Sequence, residues 1–302
     1  MLVVSEALFF GACAPHGKVS VIKNTPASEK PIIREATREE LLEKYNAMAS
    51  GVNSVNAVVE LKPTAGSKYS GIIEEYHEVK AFLLAQRPAN IRVIGQAPVI
   101  GTTVFDMASD GDTFRVSIPS KNKFLVGPMT LERASNKPIE HLRPQHLLDA
   151  LLWPEIRKEE TLLFEEFNDE TARYYVLTQL RGGYQSEILR KIWFDRSDLR
   201  VARLQAFGPR GILLSDVRYK DWQALSTLAP NISTAGSGVP AFPRAIRIER
   251  PHDDYRLDLQ VVKVAINDEL PPDRFRLEQP AGSELVRVGE NGEDHPANSA
   301  KP

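Results

Sequence analysis

The stretch PQHLLDALLW, residues 144–153, is the segment that decides the fold. Proline suits the first turn of a helix, and Pro154 ends the segment. The apolar side chains between them recur at helical spacing and form a dense stripe, which consists of Leu147, Leu148, Leu151 and Leu152. The sequence therefore predicts a short, strongly apolar helix at residues 144–153, in the middle of the chain.

Strand patterns stand on both sides of this helix. Before it, β-forming runs separated by turns occupy residues 55–61, 71–86, 90–94, 102–107, 113–118 and 123–126. After it, such runs resume at residues 161–167, 172–180, 187–195, 200–207, 212–222, 244–249 and 256–265. The turns between them are local, as at SDGD in residues 109–112. Local turns predict an antiparallel meander in one continuous sheet.

A second helix is predicted near the start of the folded region. Thr37 and Glu40 have the spacing of a capping box. One apolar face follows, made of Leu41, Leu42, Tyr45, Met48 and Ala49. We expect this helix to end near Ser50 and to be closed by Gly51.

These elements define the fold class. Two or three helices cannot cover both faces of so many strands, whereas a strongly curved sheet lets them fill its concave side. We therefore predict an α+β fold that is mainly β, with a single curved antiparallel sheet forming an incomplete barrel lidded by two or three helices. The space between apolar helices and an apolar sheet face can admit a hydrophobic ligand.

The composition limits the function classes. The chain has 302 residues and a formal net charge of -2, which gives no basic excess for a nucleic-acid partner. Its single cysteine excludes an intramolecular disulfide and a Cys-cluster metal site. No catalytic or phosphate-loop motif occurs, so we expect no enzymatic activity, no catalytic residue, no metal and no cofactor. No apolar run approaches the roughly 18 residues of a membrane-spanning helix.

The single cysteine, Cys13, follows a mostly apolar run and the small residues Gly11 and Ala12. Small residues directly before a cysteine resemble the lipobox of bacterial lipoprotein signal peptides, in which the thiol carries diacylglycerol. We therefore expect Cys13 to be a lipidation site. An incidental thiol on an unstructured N-terminus is the alternative, because no Lys or Arg precedes the apolar run.

The order along the chain gives the expected domain organisation. Residues 1–13 are expected to be a signal peptide or lipobox remnant, and the Pro-interrupted residues 14–35 a flexible tether. Residues 36–288 form the folded domain. The polar residues 289–302 are expected to be a disordered tail.

Apolar residues occupy one turn where polar residues are usual. Val99 and Ile100 follow Pro98 between two predicted strands. If both side chains lie at the tip of the turn, they suggest insertion into a membrane or a partner, since burying each gains about 1.5–3 kcal/mol. Alternatively, the turn folds back on the sheet and both residues complete the core.

Three short patterns follow one another along the chain: RPANIRV at residues 87–93, SDG at 109–111 with FRV at 114–116, and LPPDRFRL at 270–277 with PAG at 280–282. In this order they resemble the Arg-Pro strand, the Ser-Asp-Gly hairpin and the closing segment of the LolA/LolB-like bacterial outer-membrane lipoprotein-localisation family. The similarity spans residues 37–288, and the order of the patterns carries more weight than any one of them.

The resemblance implies a half-barrel lidded by helices around an apolar cavity for acyl chains. Within the family, the receptor LolB is itself a lipoprotein and has a protruding apolar hairpin. PVIGTT at residues 98–103 is similar to that hairpin, and Cys13 would supply the lipid anchor. The chain thus resembles the lipid-anchored receptor more than the soluble carrier.

We therefore expect a lipid-anchored protein of the bacterial cell envelope, at the periplasmic face of the outer membrane. Its partners would be an acylated lipoprotein or lipid, the membrane itself and a soluble periplasmic carrier. The predicted membrane-insertion loop is Val99 and Ile100. The predicted acyl-cavity lining is Leu42, Tyr45, Met48, Phe82, Leu84, Ile91, Val93, Phe105, Phe114, Leu148, Leu151 and Leu152.

Three functional hypotheses follow. The leading one is a protein that accepts acyl chains in an apolar cavity and delivers them to the outer membrane without a covalent step. The alternative is a non-transferring envelope scaffold or sensor lipoprotein whose core is filled by its own side chains. A hydrolase with dispersed catalytic residues is the third, and no motif recommends it.

Overall fold

The computed structural model describes residues 33–67, 72–75, 77–129, 144–157, 159–168, 172–182, 186–225 and 241–288. Cys13, the expected signal and tail segments and nearly all of the expected tether lie outside these residues. In the described part, the α-helices are α1 (Arg38–Ser50) and α2 (Pro144–Leu151). The strands are β1 (Ser54–Ser67), β2 (Ile72–Glu75), β3 (Val79–Gln86), β4 (Asn90–Gln96), β5 (Thr103–Ser109), β6 (Thr113–Ile118), β7 (Lys123–Pro128), β8 (Thr161–Asn168), β9 (Arg173–Arg181), β10 (Glu187–Asp195), β11 (Val201–Phe207), β12 (Leu213–Ala224), β13 (Ala241–Arg250), β14 (Tyr255–Ile266) and β15 (Glu284–Arg287).

The described strands form one continuous sheet. Their order is β15-β7-β6-β5-β4-β3-β1-β14-β13-β12-β11-β10-β9-β8, and β2 pairs with the end of β1. Neighbouring strands are antiparallel, except that β15 runs parallel to β7. In the described chain, β8 and β15 end the row and do not pair with each other, so the barrel stays open. The predicted class, mainly β with one curved sheet and two helices, is confirmed.

The two faces of the sheet have different partners. On β3, Ala81, Leu83 and Ala85 are fully buried on the face that packs against α1 and α2, which we call the inner face. Phe82 alternates with them and is 40% exposed on the other side, the outer face. The helices thus cover one face of the sheet only, as a half-barrel requires.

The sheet curls around the segment that follows α2. The centroid of the Trp153 ring lies 5.8–5.9 Å from the ring centroids of Tyr219, Trp222 and Phe242, which belong to β12 and β13. Helix α2, just before Trp153 in the chain, packs on β4 and β5. Five strand spacings separate β4 from β12, roughly 24 Å in a flat sheet. One short helix and the tryptophan beyond it can contact both regions only because the sheet is strongly curved.

Helix α1 begins as the sequence predicts. The Thr37 hydroxyl accepts a hydrogen bond from the Glu40 amide at 3.2 Å, and the Glu40 carboxylate accepts one from the Thr37 amide at 2.8 Å. Gly51 follows the last helical residue, but its φ of -70° is not left-handed. Glycine is required there because a Cβ atom would lie 2.9 Å from the Ala47 carbonyl oxygen.

Three strand boundaries differ from the predicted ones. Strand β1 continues through the turn-rich residues 63–67, where Pro63 lies beyond Leu61, the last residue paired with β3. The long predicted strand at 71–86 is divided into β2 and β3. The C-terminal segment, residues 267–288, contains a 3₁₀ turn at Pro272–Phe275 and then the short strand β15, which the sequence patterns do not predict.

The C-terminal segment explains why β15 is parallel to its neighbour. Between β14 and β15 it crosses the outer face, where Leu270 and Phe275 pack on Leu84. Arg92 of β4 donates to the Arg274 carbonyl at 3.0 Å. The chain therefore reaches β7 through a crossover connection and not through a hairpin. A crossover connection allows β15 to pair in parallel with β7.

Main-chain carbonyls at the end of α2 and in the segment after it hold the helices against the inner face of the sheet. Helix ends leave carbonyls without intrahelical partners. Tyr219 donates to the Ala150 carbonyl at 3.1 Å, and Arg87 to that of Trp153 at 2.7 Å. From α1, Tyr45 donates to the Pro154 carbonyl at 2.9 Å and Asn46 to that of Ile156 at 2.7 Å. We call Tyr45, Asn46, Arg87 and Tyr219 the clasp residues.

Arg87 joins both helix ends. Besides the Trp153 carbonyl, its guanidinium binds the carbonyls of Ala49 at 3.0 Å and Val52 at 3.1 Å. A cation at helix carboxyl ends also interacts favourably with their dipoles. The Arg-Pro pattern of the sequence therefore has a structural role in this chain, because it fixes α1 and α2 to the β3–β4 turn.

Replacing Arg87 with methionine should destabilise the fold by roughly 2–5 kcal/mol, because three carbonyls would lose a charged donor. Urea unfolding followed by far-ultraviolet circular dichroism measures the change. The matched control is Arg38→Met, since Arg38 is exposed and pairs only with its neighbour Glu39 in the described structure. A cost below about 0.5 kcal/mol for both variants would contradict this role of Arg87.

Candidate functional site

The interior between the helices and the inner face holds most of the predicted acyl-lining residues. Leu42 and Met48 of α1 are half-buried there. Eight more are at most 7% exposed and belong to the same apolar cluster: Tyr45, Ile91, Val93, Phe105, Phe114, Leu148, Leu151 and Leu152. The structure thus brings ten of the twelve candidates together.

This interior is occupied by the protein's own side chains. Trp153 is fully buried at its centre, against the aromatic rings of β12 and β13. Leu147 and Leu151 of α2 are also fully buried on the inner face. An acyl chain could enter this space only if α2 and Trp153 moved away from the sheet.

Two of the candidate phenylalanines lie flat on the sheet. A Cβ atom at Gly95 would fall 2.4 Å from the Phe105 ring, and one at Gly127 would fall 2.8 Å from the Phe114 ring. Each glycine is the direct cross-strand partner of the phenylalanine that covers it. The rings therefore cover neighbouring strands, and the glycines make this close approach possible.

The structure separates Phe82 and Leu84 from the other candidates. Leu83 of β3 faces Val93 on the inner side, so Phe82 and Leu84 point to the outer face. Leu84 is buried there under the C-terminal segment. These two side chains do not line the interior, because adjacent residues of a strand point to opposite faces.

The β4–β5 turn exposes its apolar residues. Val99 is 95% exposed and Ile100 is 74% exposed. The Ala97 carbonyl accepts the Gly101 amide at 3.0 Å, and Gly101 takes a positive φ of +66°. The turn therefore does not fold back on the sheet, and both aliphatic side chains stand in solvent.

The two tyrosine hydroxyls of the clasp keep their protons over a wide pH range. Burial raises the pKa of Tyr45 to about 12 and also raises the pKa of Tyr219. Both hydroxyls therefore remain protonated donors at any ordinary pH, so we expect the seating of α2 not to depend on their titration.

Of two adjoining clefts, the larger lies on the outer face, and the smaller is also lined by Val201, Tyr219 and Trp222 of the inner side. The larger has a volume of about 800 Å³ and is lined by residues from β8 to β14 and β1, including Trp193, Arg218 and Arg247. The smaller, of about 370 Å³, shares Asp195 and Lys220 with it. Neither cleft is lined by any predicted acyl-cavity residue.

Among the residues that the structure describes, no three His, Asp or Glu side chains are grouped so as to hold a metal ion. Neither α1 nor α2 has the length and apolar character that crossing a bilayer requires.

Solved structures similar to this chain include three bacterial proteins. A LolA superfamily protein from Nitrosomonas europaea is 16% identical, with a TM-score of 0.46 over 80% of this chain and 99% of that one. An outer membrane lipoprotein-sorting protein domain from Vibrio parahaemolyticus is 12% identical, with a TM-score of 0.48 over 78% and 94%. A DUF1329 family protein from Desulfovibrio piger is 13% identical, with a TM-score of 0.45 over 78% and 94%. No protein-family model matches the sequence, and no curated protein matches it.

Sequence patterns missed the residues that organise the interior. The sequence patterns include Arg87 only within an Arg-Pro motif and give no signal for Asn46 and Tyr219. They predict Trp153 as the end of a helix, whereas it is the aromatic centre of the core. One local signal marks Trp153: it is an aromatic residue at a predicted helix end and is followed directly by Pro154.

Gly95→Ala should destabilise the fold by about 1–3 kcal/mol, because its methyl group would force the Phe105 ring off the sheet. A double-mutant cycle with Phe105→Leu tests this coupling. Chemical denaturation measures the free energy of unfolding of the natural chain, Gly95→Ala, Phe105→Leu and the double variant. The cost of the alanine should fall in the Phe105→Leu background. An equal cost in both backgrounds would mean that the ring does not constrain Gly95.

Proposed function

We propose that the protein binds acyl chains of lipoproteins or lipids at a membrane surface of the bacterial envelope, and delivers them to the outer membrane. The observation that carries the proposal is the β4–β5 hairpin. Its tip exposes Val99 and Ile100, while its strands place Ile91, Val93 and Phe105 in the apolar interior under α2. One hairpin therefore links a surface suited to lipid with the interior.

The proposed mechanism is exchange between apolar environments. Each buried CH₂ group of an acyl chain is worth about 0.8 kcal/mol, so a long chain cannot pass through water at a useful rate. A tip inserted into the bilayer would let the chain move along the hairpin between the membrane and the interior. No bond is made or broken, and the proposal assigns no catalytic residue.

Acyl binding requires a state in which α2 is displaced. With α2 seated, Trp153 and the leucines of α2 occupy the interior, and the clasp residues hold the helix. The apparent affinity for an acyl chain is then reduced by the fraction of molecules in the displaced state. The clasp thus sets how readily the protein accepts its ligand.

Membrane anchoring and location complete the proposal. Cys13 would carry the lipid, as its resemblance to a lipobox residue implies, and residues 14–35 would tether the domain to the periplasmic face of the outer membrane. A soluble carrier would hand over the acylated lipoprotein. These features make the proposed role closer to that of the receptor LolB than to that of a carrier.

A scaffold or sensor role is the second candidate. It is favoured by the filled interior, because the predicted lining residues pack against one another and against Trp153. In that role, the clasp serves stability alone and α2 never leaves the sheet.

Tyr219→Phe separates the two candidates. The Ala150 carbonyl would lack its donor only while α2 is seated, which costs about 1–3 kcal/mol and raises the population of the displaced state about fivefold or more. A carrier should therefore bind a triacylated lipopeptide several-fold more tightly, although its free energy of unfolding falls. Calorimetric titration with the lipopeptide and its non-acylated twin measures the affinity.

The matched control is Tyr255→Phe, a buried tyrosine of β14 that makes none of the clasp bonds. It removes a tyrosine hydroxyl that is not part of the clasp, so it should not tighten lipopeptide binding. If neither the natural chain nor Tyr219→Phe distinguishes the lipopeptide from its non-acylated twin, the carrier role is excluded and the scaffold remains.

The double variant Val99→Ser/Ile100→Ser should weaken binding of the non-lipidated chain to phosphatidylethanolamine–phosphatidylglycerol vesicles at least tenfold, because each aliphatic side chain gains about 1.5–3 kcal/mol when buried. Vesicle co-sedimentation measures the binding. Stability should change by less than about 0.5 kcal/mol, since both side chains are exposed.

Val262→Ser is the control for the tip, because Val262 is a 56% exposed aliphatic residue on a different strand. It should leave vesicle binding unchanged. Equal vesicle binding by the tip variant and the natural chain would remove the tip from the membrane contact.

A further inference from the structure

Three arginines stand side by side on the outer face. Arg203 of β11 pairs in register with Arg218 of β12, which pairs with Arg247 of β13. Directly opposite residues have Cβ atoms about 4.5–5.5 Å apart, and like charges at that spacing destabilise a sheet. Without neighbouring carboxylates, this row of arginines would therefore destabilise the sheet.

The neighbouring carboxylates neutralise this row unequally. Asp216, nearly buried on β12, accepts a hydrogen bond from Arg203 Nε at 2.7 Å but lies 3.7 Å from Arg218. Asp258 pairs with Arg247 and with Arg256 of its own strand. Arg218, whose side chain is 44% exposed, thus has the weakest described pairing of the three arginines.

An aromatic wall adjoins the arginine row. Trp193 of β10 faces Arg203 across the strands, and the Arg203 guanidinium lies 5.3 Å from the centre of its ring. The rings of Phe167 and Tyr174 contact the same indole edge-on, with ring centroids 5.3 Å and 5.6 Å from that of Trp193. The wall and the row both line the 800 Å³ cleft. A concave site with an apolar side and convergent cations is suited to a small anionic ligand.

We propose that this cleft binds a phosphate-bearing ligand, with Arg218 and Arg247 on the phosphate oxygens and Trp193 against the ligand's apolar part. The planar guanidinium group matches phosphate geometry and can bind it with two parallel hydrogen bonds. A bound phosphate would also relieve the repulsion between the arginines. Glu60, Glu78, Asp195 and Asp258 line the same cleft, so they disfavour ligands with many negative charges.

The proposed ligand-binding residues Arg218, Arg247 and Trp193 lie on the face of the sheet opposite the acyl-binding interior, so the site is distinct from that interior. The phosphate could belong to a soluble ester or to a lipid headgroup. Either source presents the same oxyanion to Arg218, and a hydrophobic or planar group next to the phosphate would reach Trp193. The experiment must therefore distinguish these sources.

Calorimetric titration of the full chain with inorganic phosphate and with phenyl phosphate tests the proposal. Phenyl phosphate should bind more tightly, because its ring contacts Trp193. Arg218→Gln should weaken this binding at least tenfold, Arg247→Gln should also weaken it, and Arg218→Lys should weaken it less than Arg218→Gln. The control is Arg115→Gln, a half-exposed arginine of β6 outside the cleft, which should bind as the natural chain does.

Thermal unfolding without ligand separates binding from a structural role. Arg218→Gln should melt at the same temperature as the natural chain or higher, because it removes a like charge from the row. Competition with vesicles distinguishes the sources: displacement of phenyl phosphate by phosphatidylglycerol vesicles indicates a lipid headgroup, and its absence a soluble ester. Phenyl phosphate binding that is absent, or equal in Arg218→Gln, Arg247→Gln and Arg115→Gln, would overturn the proposal.

Discussion

The main-chain carbonyls at the end of α2 and in the segment after it are the constraint on which the rest of the structure depends. Buried carbonyls without donors are costly, and neither the last turn of a short helix nor the irregular segment beyond it can supply all of their donors. Their donors come from α1, the β3–β4 turn and β12, which lie far apart in sequence. Satisfying them fixes both helices against one face of the sheet, and that face must then curve around Trp153.

The two faces of the sheet consequently differ in chemistry. The inner face is apolar and filled by α2, so its use as a ligand site depends on movement of a helix. The outer face keeps its charged and aromatic residues accessible, and its larger cleft is already open. The exposed β4–β5 tip lies at the end of strands whose inner residues contact α2, so contact with a membrane and opening of the interior are mechanically connected in the proposed function.

Local patterns predicted the elements well, because capping boxes, hairpin turns and apolar periodicity are properties of neighbouring residues. Thr37 and Glu40 illustrate this at the start of α1.

Local patterns failed where both faces of a strand are apolar. The run AFLLA in β3 has no alternation, so Phe82 and Leu84 could not be assigned to a face. The arginine row was not predictable either, since only strand register brings Arg203, Arg218 and Arg247 together.

Fluorine NMR of the chain labelled with 5-fluorotryptophan tests the central claim, that an acyl chain enters by displacing α2. The three tryptophans sample separate places: Trp153 lies in the interior, Trp222 stacks on it and Trp193 lines the outer cleft. A saturating acylated lipopeptide should shift the Trp153 and Trp222 resonances and leave that of Trp193 in place, while the non-acylated twin shifts none. An unchanged Trp153 resonance with the lipopeptide bound would contradict the account.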